Sequence, residues 1–478
     1  MKGIMKTLMI CAIAFSLALS ACGNGERAAD AEPDYDVVIV GAGGGGLAAA
    51  LEAANAGATV LVLEKMPMVG GNTLYATGGM NAPATPQQAD LGIEDSVDLF
   101  IQDTLTGGQE LNDEELVRVM AGNAADAVAW LVELGADMSD VGRLGGSSVN
   151  RTHRPTGGAP VGNEIVQTLE NAANEHDSIE IRTWNEVTGV RMDDNRAVGV
   201  TATDRDGEEY TVSAGAVIIA TGGFGANDSL FAEIDPDLEG FGTTNHPGAT
   251  GEHIEFLRDR DVAFVDLEQI QTHPTVVPEV GALITEAVRG NGAITVNRDG
   301  ERFVDEMGTR DVVSEAFLAQ EGGTGFLVFD NDIRESLAAL EGYIRRGFVM
   351  EADSLEELAE EFGAPSQALA DTVDRYNELV DAGSDSDYNR SSLPRDIRTP
   401  PFYAIEVGPA VHHTMGGVSI TPEAEVRDTN GDVVPGLYAA GEATGGVHGA
   451  NRLGGNALAD IIVFGRIAGE NAAASAQN

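Results

Sequence analysis

Apolar positions first fall into a regular pattern at Tyr35. Asp36–Val40 is a short β-branched run closed by glycine, the pattern of a buried strand. Leu47–Ala56 is alanine-rich with helical spacing, and Thr59–Leu63 is a second apolar run ending on Glu64. Gln88–Gly135 alternates acidic and apolar residues at helical spacing, with a helix beginning at Asp113 and Glu114. Ile165–Ala173 predicts another helix. Ile179–Thr183, Val187–Met192, Ala197–Thr203 and Tyr210–Ser213 predict the short strands of a β-meander. Ala216–Ala220 predicts a further strand, running into the glycine turn Thr221–Phe224. Helical periodicity returns in Ser354–Phe362, Ser366–Ala382 and Asn456–Ala474, while Ser384–Arg398 reads as a polar loop.

Between the first strand and helix, Gly41, Gly43 and Gly46 fit G-x-G-x-x-G. Gly41 permits the tight turn, Gly43 lets backbone approach a pyrophosphate, and Gly46 lets helix and strand pack closely. The helix N-terminus turns free N–H groups and a positive dipole end toward phosphate. Glu64 follows at the distance of an acceptor for a ribose hydroxyl. Strand, turn, helix, strand and acid together predict a nucleotide cofactor. In Met68–Ala82, MVGGNTLYATGGMNA, two Gly-Gly pairs suit a backbone wrapped around a flat or anionic ligand.

The chain opens with basic Lys2 and Lys6, then an apolar stretch, Leu8–Leu19, too short to span a bilayer as a helix. Residues 1–21 therefore read as a secretory signal peptide. Leu19-Ser20-Ala21-Cys22 resembles a bacterial lipoprotein cleavage box, with Cys22 the lipid-bearing first residue; an ordinary signal peptide cut nearby is the alternative. Residues 22–33 read as a tether. No later segment looks transmembrane. Cys11 lies in the signal, so the mature chain keeps only Cys22, with no disulfide, no Cys-based metal site and no C-x-x-C-H haem attachment. No metal ligand set is predicted.

The formal net charge is −49, and lysine occurs only at positions 2, 6 and 65. Such a surface repels nucleic acid. It suits either a docking face for a basic electron-transfer partner or the solvated exterior of a salt-adapted protein.

Cationic residues gather in a few places. Leu144–Gly162 holds Asn150, Arg151, His153 and Arg154 among glycines, as a loop facing an anionic ligand or cofactor would. Three further clusters follow. One is Gln271–Thr275 around His273. The next is Thr285, Glu286 and Arg289, with Arg310 in Thr309-Arg310-Asp311. The third is His412-His413-Thr414-Met415-Gly416-Gly417 with Asn451-Arg452-Leu453-Gly454-Gly455. Arg presents a planar fork matched to a carboxylate. His and Thr add donors toward carboxylate or developing enolate oxygen.

From Tyr35 to Ala474 the chain resembles the soluble fumarate reductase flavoproteins, of flavocytochrome c type, within the succinate dehydrogenase and fumarate reductase family. The likeness rests on GGNTLYATGGMNA, SVNRTHRPTGG, ATGGF, TNHPGATG, HPT, TEAVRGNGA, TRD, HHTMGG and GLYAAGEATGGVHGANRLGGNAL. It implies an α/β fold with an α+β insertion. A Rossmann-like FAD-binding domain comes in two parts, 34–266 and 411–478, around a capping or clamp domain, 267–410. The implied reaction is hydride transfer from flavin N5 to the C=C bond of an α,β-unsaturated carboxylate. Fumarate is preferred. Methacrylate, an aryl acrylate or urocanate is the alternative, because Leu144 and Leu283 stand where these reductases usually place methionine. A related FAD dehydrogenase and a non-enzymatic carboxylate-binding lipoprotein are the other readings; Arg310, Glu286 and Arg289 argue against the last.

The resemblance also implies site residues. Arg310 falls on the proton donor, with Glu286 and Arg289 as its relay. Substrate falls to His273, Thr285, Glu286, His412 and Arg452, with the Gly455 backbone nearby. FAD falls to Gly41, Ala42, Gly43, Gly45, Gly46, Glu64 and Lys65, then to Gly71, Asn72, Thr73, Ala76, Thr77, Gly78 and Gly79. Val187, Ala220, Thr221, Gly222, His413, Gly441, Glu442, Arg452, Asn456, Ala457 and Leu458 complete that set. Asn72 replaces the flavin-linked histidine of membrane-bound members, so FAD is expected to be non-covalent. His153, His246 and His448 are expected to pin loops, and His176 and His253 to lie on the surface. The implied partners are a small carboxylate, a separate electron donor (a cytochrome or quinol-oxidising membrane protein) and a membrane reached through the lipid anchor. That makes an exported protein on a periplasmic or cell-surface face.

Overall fold

In the computed structural model, the strand Tyr35–Val40 runs through the principal sheet between Val60–Glu64 and Glu209–Ile219. Val38 lies opposite Leu61 on one side and Val217 on the other, all in parallel. Ile179–Thr183 extends the sheet beyond Val60–Glu64. Val433–Ala439 extends it beyond Glu209–Ile219, with Glu425–Arg427 as an antiparallel edge. Strands covered on both faces need apolar residues at every position, so they read as unbroken runs rather than alternations.

The helix Gly44–Asn55 packs against this sheet and against the C-terminal helix Asn456–Ala476. The two helices approach through small residues. A Cβ at Gly465 would sit 2.5 Å from the Gly45 carbonyl, and one at Gly469 would sit 2.3 Å from that of Ala49. The start of the chain's helical pattern is thereby locked to its end. Elsewhere, helix starts follow side-chain caps. Asp113 accepts from the Glu115 N–H at 2.9 Å and opens Glu114–Glu133, and Ser354 accepts from Glu357 at 3.2 Å and opens Leu355–Phe362.

Two strand expectations are corrected. Ile179–Thr183 is not part of the meander; it is the parallel edge of the principal sheet, Val62 opposite Ile181. Tyr210–Ser213 and Ala216–Ala220 are not separate strands but one, Glu209–Ile219. Its first half pairs antiparallel with Arg196–Thr203 and its second half parallel with Tyr35–Val40. Gly215 does not break it. A Cβ there would lie 3.0 Å from the Asp36 carbonyl, so the glycine permits a close approach.

A second sheet orders Ala282–Leu283, Ile270–Val277, Phe402–Thr414, Gly325–Asp330 and Ile294–Val296, with Met350–Ala352 also on Phe402–Thr414. It carries its own core, which includes Ile284, Phe317, Phe326, Phe329, Tyr376 and Tyr403. Phe402–Thr414 is one strand across the expected boundary at 410/411, and its far end carries His412 and His413. Facing it, Ile270–Val277 has register shifts on both sides of Thr272–His273. Such irregularities re-aim side chains.

The structure describes residues 32–477. The expected signal peptide, Cys22 and most of the tether lie outside the described residues. Among the described residues no helix is long and apolar enough to cross a membrane.

Candidate active site

A cavity of about 710 Å³ runs from the Gly41–Gly45 turn to the ends of the second sheet. The glycines of the turn differ in purpose. Gly41 has φ +102°, and a Cβ there would meet the Ala220 carbonyl at 2.4 Å; one at Gly46 would meet the Gly41 carbonyl at 2.0 Å. Both are closed by packing. At Gly43, which lines the cavity, the nearest atom to an added Cβ is 4.0 Å away. That is the one position of the three open to a ligand, as a pyrophosphate requires.

Glu64 lies in the wall and accepts from the Ala42 N–H and the Met66 N–H, each at 2.8 Å. Burial raises its pKa against those two bonds. It therefore fixes the turn as well as facing the cavity. Asn72 spends its amide on protein: Nδ2 donates to Asn245 at 2.6 Å and to Glu442 at 3.2 Å, and Oδ1 accepts from the His246 N–H at 2.7 Å.

Most of the residues expected at a flavin do line the cavity: Gly41, Gly43, Gly45, Glu64, Lys65, Gly71, Asn72, Thr73, Ala76, Thr77, Gly78, Gly79, Val187, Ala220, Thr221, Gly222, His413, Gly441, Glu442, Arg452, Ala457 and Leu458. Ala42, Gly46 and Asn456 do not. Asn456 is fully buried, bonded to Asn81 at 2.7 Å and to Thr104 at 3.0 Å, so it ties the last helix to its neighbours. His413 Nε2 is buried at the wall with no protein partner, a polar atom left for a bound group.

At the far end the cavity meets His273, Thr285, Glu286, Arg310, His412, Arg452 and Gly455. Arg310 donates from Nη2 to Glu286 Oε2 and from Nη1 to Gln271 Oε1, each at 3.0 Å. Glu286 Oε1 is 3.7 Å from Arg289 Nη2, which stands behind the wall. Burial pushes the Glu286 pKa up, but Arg310 and Arg289 outweigh it and hold the carboxyl below its ordinary range. Burial, reinforced by Arg310, pushes Arg452 well down from the usual guanidinium range. Arg310 and Arg289 thus flank one carboxylate, Glu286, and Arg452 lies close enough to feel both it and Glu442, inside a chain of net charge −49. An anion is what such a pocket lacks.

The histidines are neutral donors or acceptors there. His273 and His412 lie edge to face, with ring centroids 5.0 Å apart. Burial, then the nearby arginines, holds both pKa values well below the ordinary imidazole range. The Thr275 N–H donates to His273 Nδ1 at 3.3 Å. A neutral ring that accepts at Nδ1 carries its proton on Nε2. His412 Nδ1 is bonded to Thr244 Oγ1 at 2.6 Å. The Thr285 N–H donates to the Tyr343 hydroxyl at 3.0 Å.

Residues 36–458 match the family model for the FAD binding domain. Fumarate reductase (cytochrome) of Shewanella frigidimarina is 50% identical over 440 residues, 92% of this chain and 77% of that protein. The chain belongs to the soluble fumarate reductase flavoproteins. In this flavoprotein FAD is the cofactor, and the open Gly43 and the unpartnered His413 Nε2 fit it. The fold agrees: the open conformation of a flavocytochrome c3 fumarate reductase superposes with TM-score 0.80 at 42% identity, over 93% of this chain and 79% of that one. Urocanate reductase of Eggerthella lenta is 37% identical over 457 residues, 93% of this chain and 75% of that protein.

Two expectations fail in this flavoprotein. Asn150, Arg151, His153 and Arg154 of the cationic loop do not line the cavity, although Leu144 at its start does. Arg151 is fully buried between Asp95 and Asp103, 3.0 Å from each, and over the Phe100 ring. His153 is bonded to Thr85 at 2.8 Å and Arg154 pairs with Asp140 at 3.0 Å. His253 is not on the surface. It is fully buried and bonded to Thr221 at 2.9 Å. Sequence reasoning also missed Tyr343 and Arg346, both in the cavity wall. No spacing marks them, because they come from the helix Ala339–Arg345 and its cap, remote from every motif.

Proposed function

We propose that this flavoprotein reduces the C=C bond of an α,β-unsaturated carboxylate, fumarate to succinate above all, with Arg310 as proton donor. The observation that carries it is the contact of Arg310 with Glu286 at the far end of a pocket that also holds Arg452, His273 and His412. FAD, held where Gly43, Glu64, Asn72 and His413 line the cavity, would when reduced supply hydride to one alkene carbon. Arg452, His412 and Thr285 bind the carboxylates. His273 Nε2–H donates toward the oxygen on which enolate charge develops, an interaction stronger in the transition state than in the ground state. Arg310 gives its proton to the other alkene carbon. A guanidinium is a very weak acid, with pKa above about 12, so this needs a replacement proton in the same event. Glu286 passes that proton on from Arg289, which regains one from solvent, so the alkene gains one C–H bond from hydride and one from a solvent-derived proton.

Paired arginines favour a dicarboxylate over a monocarboxylate. Leu144 and Leu283 in the wall support a second reading, another enoate such as methacrylate, an aryl acrylate or urocanate, because they keep an apolar face without fixing its partner. The partition into an FAD-binding domain and a clamp is supported by the separate core between Ile284 and Val407. Export and the lipid on Cys22 rest on the sequence of residues 1–22, and delivery of electrons by a separate protein rests on the likeness to the fumarate reductases. Oxidation of reduced viologen with a panel of enoates tests the substrate. Fumarate is expected to be turned over fastest; no turnover of fumarate, with an aryl acrylate consumed, overturns the dicarboxylate reading.

A further inference from the structure

Arg289 is 1% exposed, and its Nε and Nη2 have no hydrogen-bond partner. Something other than its own contacts with Glu286 must hold it in place. The loop that reads as merely polar, Ser384–Arg398, supplies part of that hold. Arg390, 3% exposed, donates from Nη2 to the Arg289 carbonyl at 2.6 Å, from Nη1 to the Ala293 carbonyl and to Glu306 Oε2 at 3.0 Å each, and from Nε to Ser392 at 2.8 Å. Glu306 is fully buried, and its carbonyl accepts from Arg289 Nη1. Arg289, Arg390 and Glu306 thus close a triangle. One corner is the relay arginine, gripped at its backbone by Arg390 and at its guanidinium by Glu306.

We propose that Glu306 and Arg390 are positioning residues for proton delivery, turning the free Nη2 of Arg289 toward Glu286. The proposal rests on the Arg310–Glu286–Arg289 reading given above. Glu306 is a strut and not a further proton carrier. Its two oxygens already accept from Thr295 N–H at 3.1 Å, from Arg302 at 2.7 and 2.8 Å, and from Arg390 at 3.0 Å. Burial pushes its pKa up, but Arg390 and Arg302 hold it below the ordinary range. Arg302 extends the strut to Asp385 at 2.8 Å, and Asp385 in turn accepts from the Asp387 and Tyr388 N–H groups at the start of the same loop. The loop is therefore keyed into the relay at both Asp385 and Arg390. What remains free at the centre is the edge of Arg289 that faces Glu286, 3.7 Å away.

The test uses the FAD-loaded full chain with Glu306→Gln, Arg390→Lys and Arg289→Ala each alone, and with Glu306→Gln and Arg390→Lys each combined with Arg289→Ala. Misplaced relay geometry is expected to lower kcat by about 100-fold. KM for fumarate should stay within about twofold and the flavin content should be unchanged, the split that separates proton delivery from a loosened clamp. The solvent deuterium isotope effect on kcat should rise, and neither variant should slow Arg289→Ala further. If Glu306→Gln does not fold, Arg390→Lys, which keeps charge and stem, decides. Wild-type kcat in the variants while Arg289→Ala is slow, or losses that add to Arg289→Ala, overturns the proposal. Full activity in Arg289→Ala instead overturns the relay reading beneath it.

Discussion

Arg310 is held from two sides: Nη2 by Glu286 and Nη1 by Gln271, both at 3.0 Å. Gln271 in turn donates to the Arg452 carbonyl at 2.8 Å. A single amide therefore couples the proposed proton donor to the backbone of the proposed carboxylate clamp. The donor's position and the substrate's position are set by the same side chain.

Arg310→Ala is expected to abolish turnover while FAD stays bound, because Arg310 touches the far end of the cavity and not the glycine turn. Loss of a general acid removes about 10²–10⁴ of rate. Steady-state kcat and the flavin absorbance of the purified variant check both halves. A variant that keeps more than about a tenth of the wild-type rate removes Arg310 from the role.

Gln271→Leu is expected to lower kcat with intact flavin content. It strands Arg310 Nη1 without an acceptor in a buried site, at about 1–3 kcal/mol. Expressed in the transition state, that is about five- to 150-fold in rate. Gln271→Glu offers an acceptor again and should recover part of the loss, but fail to donate to Arg452. If Gln271→Leu is as fast as wild type, the coupling has no kinetic weight.

The nucleotide unit was legible because each of its parts has a local cause. Gly41 needs its φ, Gly46 its close packing, and the strands their apolar runs. Pairing is not local, so Ile179–Thr183 could be recognised as a strand without being assigned to the parallel sheet edge. Charge is also not local. Arg151 looked like an anion site because Asp95 and Asp103, which neutralise it, are distant in sequence. His253 hid for a related reason: a short helix with acidic neighbours reads as exposed, although His253 faces Thr221. The motif residues Arg310, Glu286 and Arg452 were nameable in advance, but the loop that keys into Arg289 was not, since Arg390 carries no spacing signal.

Arg151→Met is expected to destabilise the fold and not the chemistry. It leaves Asp95 and Asp103 buried without their cation, and breaking such a group costs about 3–5 kcal/mol. Thermal unfolding should show a clear drop in Tm, while kcat and flavin binding below that temperature stay at wild-type values. Were Arg151 an anion-binding residue of the cavity, flavin affinity or KM would move instead, at little change in Tm.

His253 makes a prediction in pH. Burial pushes its pKa down to about 4, below the roughly 6.5 of an unfolded imidazole. The unfolded chain therefore binds a proton that the folded chain refuses. Between those two values stability falls as pH falls, and below about 4 the difference has been lost in full. The span of about 2.5 units corresponds to about 3 kcal/mol. His253→Asn removes the titrating group but keeps an amide for Thr221, so wild type minus variant isolates this one site from the carboxylates that titrate nearby. The unfolding free energy of wild type should drop more steeply than that of the variant from pH 6.5 toward pH 4. Above pH 7 the two curves should run parallel, and parallel curves over the whole range mean that His253 takes up its proton equally well in both states.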